Sequence, residues 1–289
     1  MIFIMQKPLK NKKFSALTKF IFAGLGLLVI IAVWWILADT KFKSNGIIPA
    51  PPLILQIIIQ EIQKPIFSKA VNATISRSIY SFIIAFLSST LLAIISSRVK
   101  SVHAFLRPFM TVFRAMPTMA LIIILLMIVG SKTLPVVIAF LIVFPLSYEN
   151  MHEAICGIDN RLLQMARVFK VSHVRQLFTI HLPSVLPYMF ACIVSGFGLN
   201  LKVVIAAEIM GLPTISIGYL ILTTKQEFDF STSFAWLVIA VVLSYICEFL
   251  LRMLGRLLMP WKYPDQKNIK RFFASIYRFF KEKLLGDAK

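Results

Sequence analysis

The chain has 289 residues, 58% of them hydrophobic and 15% charged, with 31 Lys and Arg against 12 Asp and Glu for a net charge of +19. A soluble globular domain is nearer half apolar and a quarter charged; here the apolar residues come in blocks long enough to cross a bilayer, which excludes a soluble chain and predicts an all-α polytopic membrane protein. The basic residues cluster between these blocks, so the charge reads as membrane topology and contact with anionic lipid headgroups, and nucleic acid is excluded as a partner.

In chain order, residues 1–19 form a basic N-terminus with Lys7, Lys10, Lys12, Lys13 and Lys19, followed by the apolar run Phe20–Ala38. That run exceeds the roughly 7–15 residues of a signal-peptide core and no small-residue cleavage site follows, so it reads as a first membrane helix that stays in place. In IIPAPPLILQ (Ile47–Gln56) the prolines favour an extended entry. The following LILQIIIQEIQKPIF repeats apolar residues every three or four positions, which predicts a helix against the outer membrane surface. Further spans are expected at Tyr80–Ser97, Met116–Gly130, Leu134–Tyr148, Pro187–Met210 and Phe234–Leu254, about six in all at roughly 20 residues per crossing. The third and fourth are short and separated only by Ser131, Lys132 and Thr133, which predicts a tight helical hairpin. The membrane domain so defined covers residues 20–262. Residues 263–289 form a basic tail in which Ile269, Phe272, Phe273, Ile276, Phe279, Phe280 and Leu284 recur at helical spacing. It reads as an amphipathic helix on the anionic inner leaflet, the alternative being a helix that packs on a partner.

Placing the N-terminus inside assigns 23 of the 31 basic residues to inner segments and 6 to outer ones, with Arg77 and Lys202 unassigned. The inner set comprises the N-terminal lysines, Arg98, Lys100, Arg107 and Arg114, the loop residues Arg161, Arg167, Lys170 and Arg175, and the tail from Arg252 onward. The outer set is Lys41, Lys43, Lys64, Lys69, Lys132 and Lys225. The positive-inside rule then puts both termini in the cytoplasm, and with them the polar segment 150–186.

That segment has structure of its own. Asp159 supplies an N-cap, and RLLQMARVF is a strong helix former with Leu162, Leu163, Ala166 and Phe169 at helical spacing. Lys170-Val171-Ser172 breaks the run, Ser172 is placed to cap a second helix, HVRQLFTIHL, and Pro183 and Pro187 mark the return to the membrane. Two short amphipathic helices joined by a tight turn make a knob with apolar side chains in water, the signature of a partner site.

The stretch resembles the loop of permease subunits of binding-protein-dependent ABC importers, whose pattern is Glu-Ala-Ala, three residues, Gly, nine residues, Ile-x-Leu-Pro. The second half is present as Ile180, His181, Leu182 and Pro183. The first half departs: Gln164-Met165-Ala166 stands for Glu-Ala-Ala and Lys170 for the glycine, while Glu153–Ala154 upstream is out of register. IPAPP (48–52), NATISRSIYSF (72–82), FRAMPTMALIIIL (113–125), KVVIAAEIMG (202–211), IGYLI (217–221) and MPWK (259–262) resemble the nitrate, sulfonate and taurine branch. The resemblance implies a bacterial inner-membrane permease, paired with a second copy or a similar chain, that forms the translocation path. Its partners would be two ABC ATPase subunits, which bind and hydrolyse the ATP, and an extracytoplasmic substrate-binding protein. The substrate would be a small anionic or organic nutrient of nitrate, sulfonate, taurine or pyrimidine type. ATPase coupling would rest on Leu163, Gln164, Ala166, Phe169, Lys170, Phe178, Leu182 and Pro183. Where the turn needs a left-handed residue, Lys170 costs about 1 kcal/mol against glycine, and Gln164 lacks the charge that pairs with an arginine.

Charged and polar groups inside a membrane face a pathway or a partner. Asn200, Lys202 and Glu208 in the fifth span are therefore the candidate substrate-path residues. Lys202 and Glu208 lie about 120° apart around a helix and do not pair on one face. For Lys202 the other reading is a bond to carbonyls or a carboxylate such as Glu248, and for Glu208 a position in water at the outer end. His103, His152, His173 and His181 lack ligand spacing and read as surface residues, and Cys156, Cys192 and Cys247 as packing residues, so no metal or cofactor is expected. There is no Gly-rich phosphate loop ending in Gly-Lys-Ser/Thr, so the chain reads as a non-catalytic transport subunit. The alternative, a self-sufficient secondary transporter, lacks buried carboxylates for ion coupling and inverted repeats.

Overall fold

The computed structural model describes residues 16–40 and 48–259. The expectations for the basic N-terminus through Ser15, for Lys41 and Lys43, and for the tail from Pro260 onward lie outside the described residues. Ten α-helices and one π-helical turn make up the ordered elements among them, and no strand is present.

Helix α1 (Ala16–Thr40) contains the first expected span. Its side chains from Leu28 to Val33 are exposed and apolar, as a lipid-facing helix requires. Helix α2 (Pro51–Gln63) starts with proline in its first turn and buries Ile54 and Glu61. The apolar spacing predicts a helix that continues past Pro65, but Lys64 leaves helical geometry and Pro65 opens a new helix, α3 (Pro65–Arg98). Proline tolerates a first turn because its missing N–H has no partner there.

At 34 residues α3 is about 51 Å long, far more than the expected Tyr80–Ser97. Its buried face is a stripe of small residues, Ala70, Thr74, Ser78, Ser81, Ala85, Ser89, Ala93 and Ser96. Lipid tails are as apolar as leucine, so membrane helices associate by close backbone approach, and small residues at three- and four-residue spacing permit it. Through this stripe α3 packs against α5 and α8.

Helix α4 (Lys100–Ala115) lies where an inner loop was expected. Helix α5 (Thr118–Cys156) holds both the third and fourth expected spans. The expected hairpin turn at Ser131–Thr133 is replaced by a single break at Gly130, with φ 71° and ψ 169°, a conformation open essentially to glycine alone. The arm before the break, 118–129, is roughly 18 Å long and too short to cross a bilayer by itself. Ile122 from this arm and Leu134, Ile138 and Ala139 from the other share one buried cluster with Val203, Val204 and Ala207.

After α6 (Asn160–Val168) and the single turn α7 (His173–Gln176), a π-helical turn Leu177–His181 leads directly into α8 (Leu182–Gly211). The second helix of the loop is therefore continuous with the fifth span instead of ending before it. Pro183 has no N–H to give a carbonyl one turn back, and a wider π turn at that place absorbs the missing bond. Helix α8 is central, packing against α3, α5, α9 (Ile217–Gln226) and α10 (Phe230–Leu258). A Cβ on Gly218 would lie 2.5 Å from the Cβ of Glu208, so only glycine lets α9 sit this close to α8. Trp236 of α10 is fully buried, its ring 5.8 Å from that of Phe67.

Candidate functional site

The cytoplasm-assigned loop begins as its sequence dictates. The Asp159 carboxylate accepts a 2.8 Å hydrogen bond from the Arg161 N–H and so caps α6. The helix ends in a Schellman turn: the Val171 N–H donates to the Ala166 carbonyl at 2.9 Å and the Lys170 N–H to that of Arg167 at 3.0 Å. Such a turn places one residue in the left-handed region, and Lys170 is that residue, with φ 47°. Ser172 takes the N-cap position of α7 with extended backbone, yet its hydroxyl makes no capping bond; the Gln176 side-chain amide instead donates to the Val171 carbonyl at 2.8 Å.

The knob turns apolar side chains outward. Phe169 is 74% exposed and Phe178 62%, while Leu182 is less so. Leu163 is half-buried and Gln164 exposed. Ala166 is 1% exposed, so it belongs to the inside of the knob and does not share the outward face of Phe169. Met165, Val168 and Val174 are exposed with Phe169 and were not singled out from the sequence. The helical register relative to Ala166 was the signal that separates the two faces.

The second feature is a buried polar centre between α3, α8 and the start of α9. The Glu208 carboxylate is fully buried and filled with donors. Arg77 donates to Oε1 at 2.8 Å, Thr74 to Oε2 at 2.8 Å, and the Gly218 N–H to Oε2 at 3.3 Å. The Ile217 N–H reaches the Thr74 hydroxyl at 3.1 Å and the second Arg77 nitrogen donates to the Thr214 hydroxyl at 2.6 Å. The Gly218 N–H belongs to the first turn of α9, where the helix dipole favours an anion, and the neighbouring Ile217 N–H reaches the carboxylate only through Thr74. Glu208 is thus not in water at the outer end, and Arg77, unassigned from sequence, is its partner. The spacing of Thr74, Arg77, Ser78 and Ser81 on one face of an apolar run was the available signal. Asn200 is also fully buried: Ser81 donates to its Oδ1 at 3.0 Å and its Nδ2 donates to the Ser78 carbonyl at 2.8 Å.

Lys202 points elsewhere. It is exposed and makes no hydrogen bond or ion pair among the described residues. Together with Glu248 it lines two cavities beside α8 and α10, of about 540 and 330 Å³; Arg252 and Arg256 line the larger. Glu248 is ion-paired at 2.9 Å with Arg252, one turn on, and its carboxylate occupies the space a Cβ on Gly198 would take. Basic side chains predominate on the wall of the larger cavity, where Lys202 and Arg252 stand against Glu248 alone. Among the described residues no cluster of His, Cys, Asp and Glu is grouped to hold a metal ion.

Residues 85–260 match the family described as binding-protein-dependent transport system inner membrane component. The chain belongs to this family. It is an ABC importer permease of the sulfonate and taurine type, a multi-pass inner-membrane protein from a family of non-catalytic transport subunits. The putative aliphatic sulfonates transport permease protein SsuC of Bacillus subtilis is 26% identical over 238 residues, 81% of this chain and 85% of that one. The taurine transport system permease protein TauC of Escherichia coli is 20% identical over 241 residues, 81% of this chain and 87% of that one. The fold of the permease is also that of a bacterial ABC transporter involved in the import of the acidic polysaccharide alginate. That match has a TM-score of 0.55 and 16% identity and covers 82% of this chain and 96% of the other. A second structure, of the alginate transporter in complex with an alginate pentasaccharide-bound periplasmic protein, matches with a TM-score of 0.56.

Proposed function

We propose that this permease carries a small anionic organic nutrient, a sulfonate or a compound like taurine, and couples to a separate ABC ATPase through residues 159–183. The observation that carries this reading is the knob. An Asp159-capped helix, a Schellman turn and a continuous helix into α8 present Phe169, Val168 and Phe178 to solvent on a rigid mount. Apolar side chains held out in this way are stabilised by a partner's groove. The partner supplies ATP hydrolysis, and its movement reaches the membrane through the unbroken run from α7 to α8. In this reading both termini are cytoplasmic, two permease copies enclose the path, and an extracytoplasmic binding protein delivers the substrate. The periplasmic protein bound to the alginate transporter supports that last partner. The positive wall containing Lys202 suits an anion on its way through. Glu208 and Arg77 neutralise each other, and Glu248 is paired with Arg252, which leaves a proton-coupled secondary transporter without a free intramembrane carboxylate among the described residues.

Burying a Phe side chain contributes about 1.5–3 kcal/mol, so Phe169→Ala weakens ATPase docking roughly ten-fold or more and abolishes ATP-driven uptake while the permease stays in the membrane. The measurement is ATPase retained on the solubilised permease. Full retention and normal uptake in both Phe169→Ala and Val168→Asp would sink the coupling assignment. Ala166→Asp is the wrong probe, because it puts a charge inside the knob and disrupts the mount.

A further inference from the structure

Helix α4 has three sectors around its axis at 100° per residue. His103, Leu106, Met110 and Phe113 face the protein, and Met110 is buried with Ala93, Tyr148 and Met151. Lys100, Arg107 and Arg114 share a second sector. Phe105, Phe109 and Val112 share a third and are 67%, 51% and 53% exposed. A helix buried on one side and facing water on the other has no need of the third sector.

The direction of α4 follows from its contacts. His103 stacks on His152 with centroids 4.0 Å apart and hydrogen-bonds the Tyr148 hydroxyl at 3.1 Å; at the other end Arg114 is ion-paired with Glu149. From His103 to Arg114 the helix advances about 16 Å, while its partners on α5 span only about 6 Å, from Tyr148 to His152. Helices running side by side keep step, so α4 crosses α5 steeply. It does so at the end of α5 that leads through Gly157 to the loop cap Asp159. A helix lying across a membrane-spanning helix at its end runs along the membrane surface.

We propose that α4 is a membrane-surface helix. It seats Phe105, Phe109 and Val112 among the acyl chains of the cytoplasmic leaflet and holds anionic phospholipid headgroups with Lys100 and Arg107, so that anionic lipid strengthens coupling to the ATPase. Two further observations select lipid as the occupant. The end of α3, directly before α4 in the chain, also exposes apolar side chains, Leu91, Ile94, Ile95 and Val99, as a helix end in contact with acyl chains does. Lys100 and Arg107 are exposed, make no ion pair among the described residues, and stand across the helix axis from the ridge, so that one side is apolar and the other basic, the arrangement of a helix held at a charged interface. Through the His103, Tyr148 and Arg114 contacts, α4 fixes the last turns of α5 before the coupling loop. The inference rests on the importer reading, which puts this end of the molecule in the cytoplasm.

The test uses the full permease assembled with its ATPase subunits in nanodiscs of phosphatidylcholine, with or without phosphatidylglycerol. With Phe109→p-benzoylphenylalanine, irradiation is expected to give a phospholipid adduct identified by mass. Adducts with the ATPase or with a second permease would overturn the proposal. Adding phosphatidylglycerol is expected to raise ATPase turnover, and the Lys100→Gln, Arg107→Gln double variant to bring the ratio of the two turnovers to about one, each charge being worth roughly five-fold in affinity for an anionic surface. A wild type indifferent to phosphatidylglycerol, or a double variant with an unchanged ratio, overturns it as well. Failure of the wild-type permease to retain any ATPase is a different result and strikes the importer reading.

Discussion

Arg77 and Glu208 are 131 positions apart in the chain and joined across α3 and α8. Taking two charges out of water is unfavourable, and the pair persists because every carboxylate oxygen has a donor; removing one partner of such a pair typically costs about 3–5 kcal/mol. Arg77→Met should therefore lower the midpoint of thermal unfolding in detergent sharply, and Arg77→Met with Glu208→Gln should recover much of the loss. A single variant as stable as the wild type would show that the pair does not hold α3 to α8. Asn200 and Glu208 stand out in the sequence as polar groups in an apolar run, and that much was legible. Their partners were not, because Thr74, Arg77, Ser78 and Ser81 meet α8 only after the chain has folded back on itself. Lys202, two residues from Asn200, has the same sequence context yet lines a cavity, since a helix turns successive residues to different neighbours.

At the scale of elements, the loop shows how local signals succeed. Asp159 caps, the helix runs for nine residues, and the break falls at Lys170. A lysine in the left-handed region carries a penalty of about 1 kcal/mol against glycine. Lys170→Gly should stabilise the knob by about that amount with transport retained, whereas Lys170→Val, β-branched, should lose ATPase in the same co-purification assay. Loss of transport in Lys170→Gly would mean that the lysine itself contacts the partner. At α4 the local signal was present but weakened: Lys100, Arg107 and Arg114 recur every seventh position and so share one side of a helix, while Pro108 inside the run argues against one. The helix exists because it packs on α3 and α5.

For the whole molecule the expected orientation rests on charge. Arg98, Arg107 and Arg114 lie toward the end of α3 and α5 that leads into the loop, whereas Lys132 stands just after the Gly130 break inside α5 and Lys225 in the last turn of α9. A reporter fused after Lys289, and one inserted among residues 161–175, should both register cytoplasm, and one near Lys225 the outside; an external C-terminus would reverse the assignment and remove the coupling argument.

Composition and hydropathy alone determine that this chain is helical and membrane-bound, because in lipid each backbone N–H must find its acceptor within the segment that carries it. Charge between the blocks carries the expected orientation, and the Asp159 cap and the break at Lys170 are local enough to be read as they stand. Tertiary structure alone decided that Gly130 breaks α5, that α7 runs unbroken into α8, that Ala166 turns inward while Phe169 turns out, and that Glu208 is held by Arg77. Each of these depends on which helices meet, and in this protein that is set by the small-residue stripe of α3, whose partners lie far along the chain.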